Sequence, residues 1–206
     1  MSTYDPRSTG KVMAYILRHG ASKEGIPMDD AGWVLLSDLK KFKNLKHLSE
    51  KILIEILEKD SPPKGKGRFR AEKIDAGWRV RATQGHSIKK VKEDKLLTKI
   101  DSAEPFPLVT HGTFYKGWEV IKMNGLDKMS RNHIHLAPGH PGDDGVYSAR
   151  VATAEIIIEI DLDKAMKSGI PFYMSDNRVI LTPGPIPTSF FSRVYDIKTD
   201  KDLLID

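Results

Sequence analysis

The rhythm of apolar and polar positions changes midway along the chain. Val12 and Ile16, like Met13 and Leu17, repeat at i, i+4 spacing behind Ser8, which predicts a helix capped by Ser8 and running to about His19. Trp33-Val34-Leu35-Leu36 reads as a short strand, and Ser37 as the cap of a short helix ending at Phe42. After Ser49 the apolar stripe Ile52, Leu53, Ile56, Leu57 runs against Glu50, Lys51, Glu55 and Glu58, an amphipathic helix that Ser61-Pro62-Pro63 must stop. Two strands follow over residues 68–74 and 78–83, joined by a turn at Asp75-Ala76-Gly77. The order helix, strand, helix, helix, hairpin is that of a winged-helix domain, a topology that often binds nucleic acid without proving that it does.

Residues 88–106 are polar and charged, and Pro105-Phe106-Pro107 interrupts them, so the boundary falls near residues 95–105 and gives lobes of residues 1–98 and 99–206. The second lobe reads as mainly β. Strand candidates are residues 108–110, 134–136 and 154–161, the last containing a continuous apolar-rich run from Ile156 to Ile160. Residues 173–174 and 179–181 suggest a hairpin around Ser175-Asp176-Asn177. Short helices are expected over 117–124, ended by Gly125, and 163–168, closed by Gly169. The fold class is therefore α+β.

Composition narrows the functional classes. With 206 residues, one or two domains of ordinary size fit. Every apolar run is short, Ile156-Ile157-Ile158 among them, and falls far below the roughly 20 residues that span a bilayer. The first seven residues carry no apolar core, so no signal peptide is expected. The chain has no cysteine, which excludes disulfides, thiolate metal sites and a cysteine nucleophile, and suits a reducing cytoplasm. Net charge is +5, and residues 61–90 hold Lys64, Lys66, Arg68, Arg70, Lys73, Arg79, Arg81, Lys89 and Lys90 against Glu72 and Asp75 alone. Such a concentration suits a polyanion, although a solvated charged face has the same composition.

Candidate chemistry gathers in polar clusters. Leu17-Arg18-His19-Gly20 ends the first helix, where cations also favour the negative end of the macrodipole. Lys66-Gly67-Arg68-Phe69 opens the hairpin and Gln84-Gly85-His86-Ser87 closes it. His111-Gly112-Thr113 combines polar side chains with a glycine that lets a ligand approach the backbone. In Ser130-Arg131-Asn132-His133-Ile134-His135 the two histidines alternate with apolar residues and share one strand face. Two histidines at that spacing can also bind a metal, but no HExxH pattern is present. The Walker loop, the GxGxxG turn and the GxSxG elbow are likewise missing, so a nucleotide would need polar side chains on strands.

Taken in order, Leu17-Arg18-His19-Gly20, Gly32-Trp33-Val34, Arg68-Phe69, Gln84-Gly85-His86-Ser87, Val109-Thr110-His111-Gly112-Thr113, Ser130-Arg131-Asn132-His133-Ile134-His135-Leu136-Ala137 and Val179-Ile180-Leu181-Thr182-Pro183-Gly184 resemble the tRNA 2′-phosphotransferase family. The likeness spans almost the whole chain. It implies an N-terminal winged-helix lobe, a C-terminal ADP-ribosyltransferase-like lobe and an active site between them. It also implies a catalytic quartet that maps onto Arg18, His19, Arg68 and Arg131; Arg70 and Arg81 compete for the third place, and Arg68 is preferred because it directly precedes Phe69.

The implied reaction has two steps. An internal 2′-phosphate of RNA, tRNA in the first instance, attacks the nicotinamide ribose of NAD⁺; the 2″-hydroxyl then takes the phosphate, leaving ADP-ribose 1″,2″-cyclic phosphate. The first nucleophile is already about −1.5 to −2 in charge and needs no general base. His111, Gly112, Thr113, Ser130, His133 and His135 are assigned to NAD⁺, and Lys64, Lys66, Arg70, Arg79 and Arg81 to the RNA backbone. No metal is implied, since arginines supply the positive charge; a monomer without membrane or protein partner is expected. Two rivals are an ADP-ribosyltransferase acting on terminal phosphates of nucleic acids, which would use the same lobe and first step, and a non-catalytic winged-helix sensor of NAD⁺ or ADP-ribose. The sensor predicts a damaged quartet, whereas all four positions are intact.

Overall fold

The computed structural model describes residues 4–61, 67–92, 95–140, 143 and 153–204. The chain divides into two compact units, Met1–Leu96 and Leu97–Asp206, each mixing helices with antiparallel sheet. Among the described residues no helix is long and apolar enough to cross a membrane.

In the first unit α1 spans Pro6–Tyr15 and starts a turn earlier than Ser8 suggests. Asp5 is the N-cap, its carboxylate accepting from the amides of Arg7 and Ser8 at 3.0 Å each, and Pro6 takes the first helical position, where no amide is needed. Nor does α1 run to His19 as α-helix. It passes at Ile16 into one π turn, Ile16–Gly20, in which the Ala21 amide donates to the Ile16 carbonyl at 2.9 Å. β1 is only Val34–Leu35, and the chain enters α2, Leu36–Leu39, with Leu35 rather than Ser37 at the cap. α3, Glu50–Lys59, follows Ser49 as expected: the Ser49 hydroxyl accepts from the Ile52 amide, and Leu53, Ile56 and Leu57 are buried. Pro62 and Pro63 lie outside the described residues.

β2, Phe69–Ile74, and β3, Gly77–Ala82, form the hairpin, and the sheet order is β1-β3-β2. Gly77 turns the chain at φ 109°, a value L side chains rarely adopt. Met13, Leu36, Leu53, Phe69 and Val80 are essentially inaccessible, so α1, α2 and α3 bury their apolar faces with one side of the sheet.

The second unit holds two sheets. One has order β10-β7-β5, with β5 at Thr110–Thr113, β7 at Ile156–Ile160 and β10 at Phe191–Asp196. The other has order β4-β8-β9-β6, from Thr98–Lys99, Tyr173–Met174, Ile180–Thr182 and Ile134–Leu136. An antiparallel bridge between Thr110 and Ala137 joins the two sheets. β5 lies further along the chain than residues 108–110, so His111, Gly112 and Thr113 are strand residues rather than a following loop. α4, Tyr115–Asn124, ends at Gly125, and α5, Leu162–Lys167, is capped by Asp161. β7 is central and its isoleucines are nearly inaccessible, which is why Ile156-Ile157-Ile158 runs unbroken rather than alternating with polar residues.

Candidate functional site

Arg18 and His19 ride on the π turn of the first unit. Single π turns inside helices are frequent at functional sites; the extra residue re-aims the side chains it carries. The His19 Nδ1 lies 2.9 Å from the Ser87 hydroxyl, and the Ser87 amide donates to the Arg18 carbonyl at 2.9 Å. The Tyr15 ring sits 6.2 Å from the His19 ring. Gly20 makes room for it: a Cβ there would meet Tyr15 at 3.0 Å.

Arg68 immediately precedes β2, whose first residue, Phe69, is fully buried. Burying such a ring stabilises by about 1.5–3 kcal/mol, which pins the register in which Arg68 leaves the sheet. Its Nε donates to the carboxylate of Asp60, its guanidinium carbon lies 5.3 Å from the Phe69 ring centre, and its Nη2 packs beside Gly10 of α1. The Thr83 amide donates to the Arg68 carbonyl at 3.0 Å and the Thr83 hydroxyl to the Gly67 carbonyl at 2.8 Å. Residues 83–87 therefore fasten two basic segments that are distant in sequence, Arg18-His19 at one end and Gly67-Arg68 at the other.

The rival arginines are placed differently. Arg79 and Arg81 stack on Trp33 at 4.4 and 4.8 Å, Arg79 is ion-paired with Glu72, and Arg81 is buried. Arg70 is exposed on the hairpin. Of the five lysines and arginines considered for RNA, Arg70 is thus on the surface and Arg79 and Arg81 pack on an indole, while Lys64 and Lys66 lie outside the described residues. His86 is wholly buried beneath Gly32, where a Cβ would approach its Nε2 to 3.3 Å.

In the second unit hydrogen-bond chemistry fixes two histidine tautomers. The His111 Nδ1 is 2.9 Å from the backbone carbonyl of His135. A carbonyl only accepts, so that nitrogen carries a proton, and in the neutral form of the ring Nε2 is the acceptor. Arg131 Nη1 is 3.2 Å from the His135 Nδ1. Arginine only donates, so this nitrogen is unprotonated and His135 is neutral with its proton on Nε2. In their neutral forms the two rings thus differ in tautomer, His111 with its proton on Nδ1 and His135 with its proton on Nε2.

Strand register adds a residue the sequence did not single out. His135 pairs with Leu181, which pairs with Tyr173, and the Tyr173 ring meets His133 edge-on at 6.1 Å. Thr113 is nearly buried, and its hydroxyl faces α4 at Gly117, where a Cβ would come within 2.5 Å. Gly112 is buried in β5 and Ser130 is exposed. The Ser130-Arg131 loop is shaped by Asp127, whose carboxylate accepts from the Met129 amide at 2.7 Å, with Met129 at φ 56°.

One carboxylate is strongly perturbed. The Tyr115 hydroxyl donates to Asp196 at 2.6 Å, and the Thr199 hydroxyl and the amides of Thr199 and Lys198 also donate to it. These bonds favour the ionised form and lower its pKa to about 2. Among the described residues no group of three or more histidines and carboxylates is gathered to hold a metal ion.

Residues 5–184 match the model of the RNA 2′-phosphotransferase, Tpt1 / KptA family. The chain belongs to this family. It is 40% identical over 176 residues to tRNA 2′-phosphotransferase 1 of Homo sapiens, covering 84% of this chain and 68% of that protein. It is 36% identical over 195 residues to tRNA 2′-phosphotransferase 1 of Danio rerio, covering 91% and 84%. With a Schizosaccharomyces pombe relative it shares 36% identity over 199 residues, and the chain spans about half, 52%, of that protein's length. The stretch matched to the RNA 2′-phosphotransferase family contains Arg18, His19, Arg68, Arg131 and all the histidines described above, and it stops before β10.

Proposed function

We propose that this member of the family removes an internal 2′-phosphate from RNA by transferring it to NAD⁺. In this reading the first unit is a winged-helix lobe that takes the RNA, and the second is an ADP-ribosyltransferase-like lobe that takes NAD⁺. The observation that carries it is the fastening of Arg18-His19 and Arg68 to the same five residues, Thr83 to Ser87. Two arginines and a histidine held this way suit a phosphate monoester, because guanidinium groups match phosphate oxygens in planar, bidentate fashion.

In the first step a 2′-phosphate oxygen bonds to the anomeric carbon of the nicotinamide ribose and nicotinamide leaves with the bonding pair. The phosphate is already anionic, so orientation by Arg18 and Arg68 replaces a general base. In the second step the 2″-hydroxyl gives up its proton as its oxygen bonds to phosphorus. The RNA 2′-oxygen leaves with the P–O bonding pair and takes up a proton, so no net proton is gained or lost. His19 serves as phosphate contact or as that proton's donor. Charge builds on the phosphoryl oxygens there, and Arg131 is assigned to it. His111 and His135, of opposite tautomer when neutral, suit ribose hydroxyls; His133 with Tyr173 supplies a polar and aromatic wall, and Gly112, Thr113 and Ser130 complete the NAD⁺ set.

The test is an oligoribonucleotide with one internal, radiolabelled 2′-phosphate, incubated with the protein with and without NAD⁺ and without added metal. Label appears in ADP-ribose 1″,2″-cyclic phosphate only when NAD⁺ is present. Label retained on RNA that has gained ADP-ribose would assign the one-step transfer instead, and no NAD⁺-dependent change would leave a binding module.

A further inference from the structure

Asp60 occupies a position that local rules disfavour. It is the C-cap of α3, where the helix macrodipole is negative and a cation is preferred, and it is 8% exposed. A carboxylate buried at the wrong end of a helix is costly unless a cation meets it. That cation is Arg68, whose Nε donates to the Asp60 carboxylate eight residues on. The partner itself is only partly covered, with 24% of its side chain accessible. The buried acid is therefore matched to a cation that still reaches the surface. Local conflicts of this kind concentrate at functional positions.

The geometry points to Asp60 as a positioning residue for the phosphate-binding arginine. The inference rests on the proposed role of Arg68. Thr83 fixes the Arg68 backbone through the carbonyls of Gly67 and Arg68, but four side-chain torsions separate that backbone from the guanidinium. Asp60 fixes the far end. With Nε committed to the carboxylate, bidentate phosphate contact falls to the edge carrying the two Nη groups, so the acid selects which face of the fork meets the RNA phosphate. It does this without touching substrate.

The experiment compares Arg68→Ala, Asp60→Ala, Asp60→Asn and the Arg68→Ala/Asp60→Ala double variant. Each is measured for kcat/KM on the 2′-phosphorylated oligoribonucleotide, for affinity toward it without NAD⁺, and for thermal midpoint. Asp60→Ala is expected to lose on the order of 10²-fold in kcat/KM, the usual consequence of a misplaced group near the reacting atoms. Asp60→Asn keeps an acceptor oxygen for Nε and is expected to recover most of that loss. In the Arg68→Ala background the Asp60→Ala change should cost less than about twofold, because its effect runs through the arginine. Full activity of Asp60→Ala beside a crippled Arg68→Ala overturns the positioning role and leaves the role of Arg68 standing. An Asp60→Ala loss that persists without Arg68 marks a purely structural acid and also overturns it. Parental activity of Arg68→Ala removes the role of Arg68 and the inference with it.

Discussion

One arginine and one carboxylate in each unit are handled in opposite ways. In the first, a buried carboxylate, Asp60, grips the arginine that precedes β2. In the second, Arg131 donates to a neutral imidazole, while the strongly ionised carboxylate, Asp196, is served by hydroxyls and amides. An ion pair orients an arginine firmly but spends part of its field on the partner. A neutral acceptor orients it and adds no opposing charge. The first arrangement suits a group that must hold a dianion still. The second suits one that must respond to charge appearing during a reaction, where fixed donors have their largest effect.

That contrast is broken most directly by deleting one arginine from each unit. Arg131→Ala is expected to slow the overall reaction by on the order of 10²–10³-fold and to accumulate ADP-ribosylated RNA, visible as a retarded band in a single-turnover gel. Arg68→Ala is expected to weaken binding of the 2′-phosphorylated RNA and to accumulate nothing. Both variants stalling with untouched substrate would erase the division of labour.

A smaller effect sharpens the imidazole half of the comparison. In asparagine the Oδ1 atom stands as many bonds from Cα as the His135 Nδ1, so His135→Asn keeps an acceptor for Arg131 and loses the Nε2 donor. His135→Gln does the reverse. A hydrogen bond to a charged group contributes about 1.5–3 kcal/mol, so each half of the ring is expected to be separable at roughly tenfold or more. His135→Asn should raise the KM for NAD⁺ and spare the second step, whereas His135→Gln should accumulate the ADP-ribosylated intermediate. Identical defects in the two variants would show that the ring acts only as a spacer.

How far these arrangements can be read from sequence depends on whether the cause is local. The cap at Ser49, the turn at Gly77, the strand Ile134–Leu136 and the buried run Ile156–Ile160 all follow from neighbouring residues, and the structure has them. Ser8 is not the cap because Asp5 followed by Pro6 is a better start three residues earlier. β10 has no clear strand pattern because a bulge between Phe191 and Arg193 breaks the alternation that marks a strand. The π turn under Arg18 and His19 has no local signature. The candidate residues themselves were legible as motifs, but their partners were not. Ser87 reaches His19 across 68 positions, and only the hairpin's return brings it there. His135 acts on His111 through its carbonyl, which every residue has. The Asp60 contact spans eight positions, yet nothing in a helix C-terminus announces which cation an acid there will meet.

The carboxylate half of the comparison has its own test, in stability rather than rate. Asp196 is ionised by neutral donors, chiefly the Tyr115 hydroxyl and then the Thr199 hydroxyl, and its pKa falls from 3.8 to about 2. A carboxyl group whose folded-state pKa is depressed stabilises the fold at all pH values above its unfolded value, and that contribution fades as pH drops through the folded value. The parent should therefore exceed Asp196→Asn in thermal midpoint by a constant margin from neutral pH down to about 4, and the margin should shrink between there and pH 2. Salt should change it little, because the donors at Asp196 are hydroxyls and amides rather than ammonium or guanidinium groups. Tyr115→Phe should reproduce part of the margin, since it removes the largest of these bonds and leaves those from Thr199 and Lys198. A margin that vanished in high salt would mean a cation, as in the first unit, does the stabilising. The two carboxylates would then be variants of one device rather than opposites.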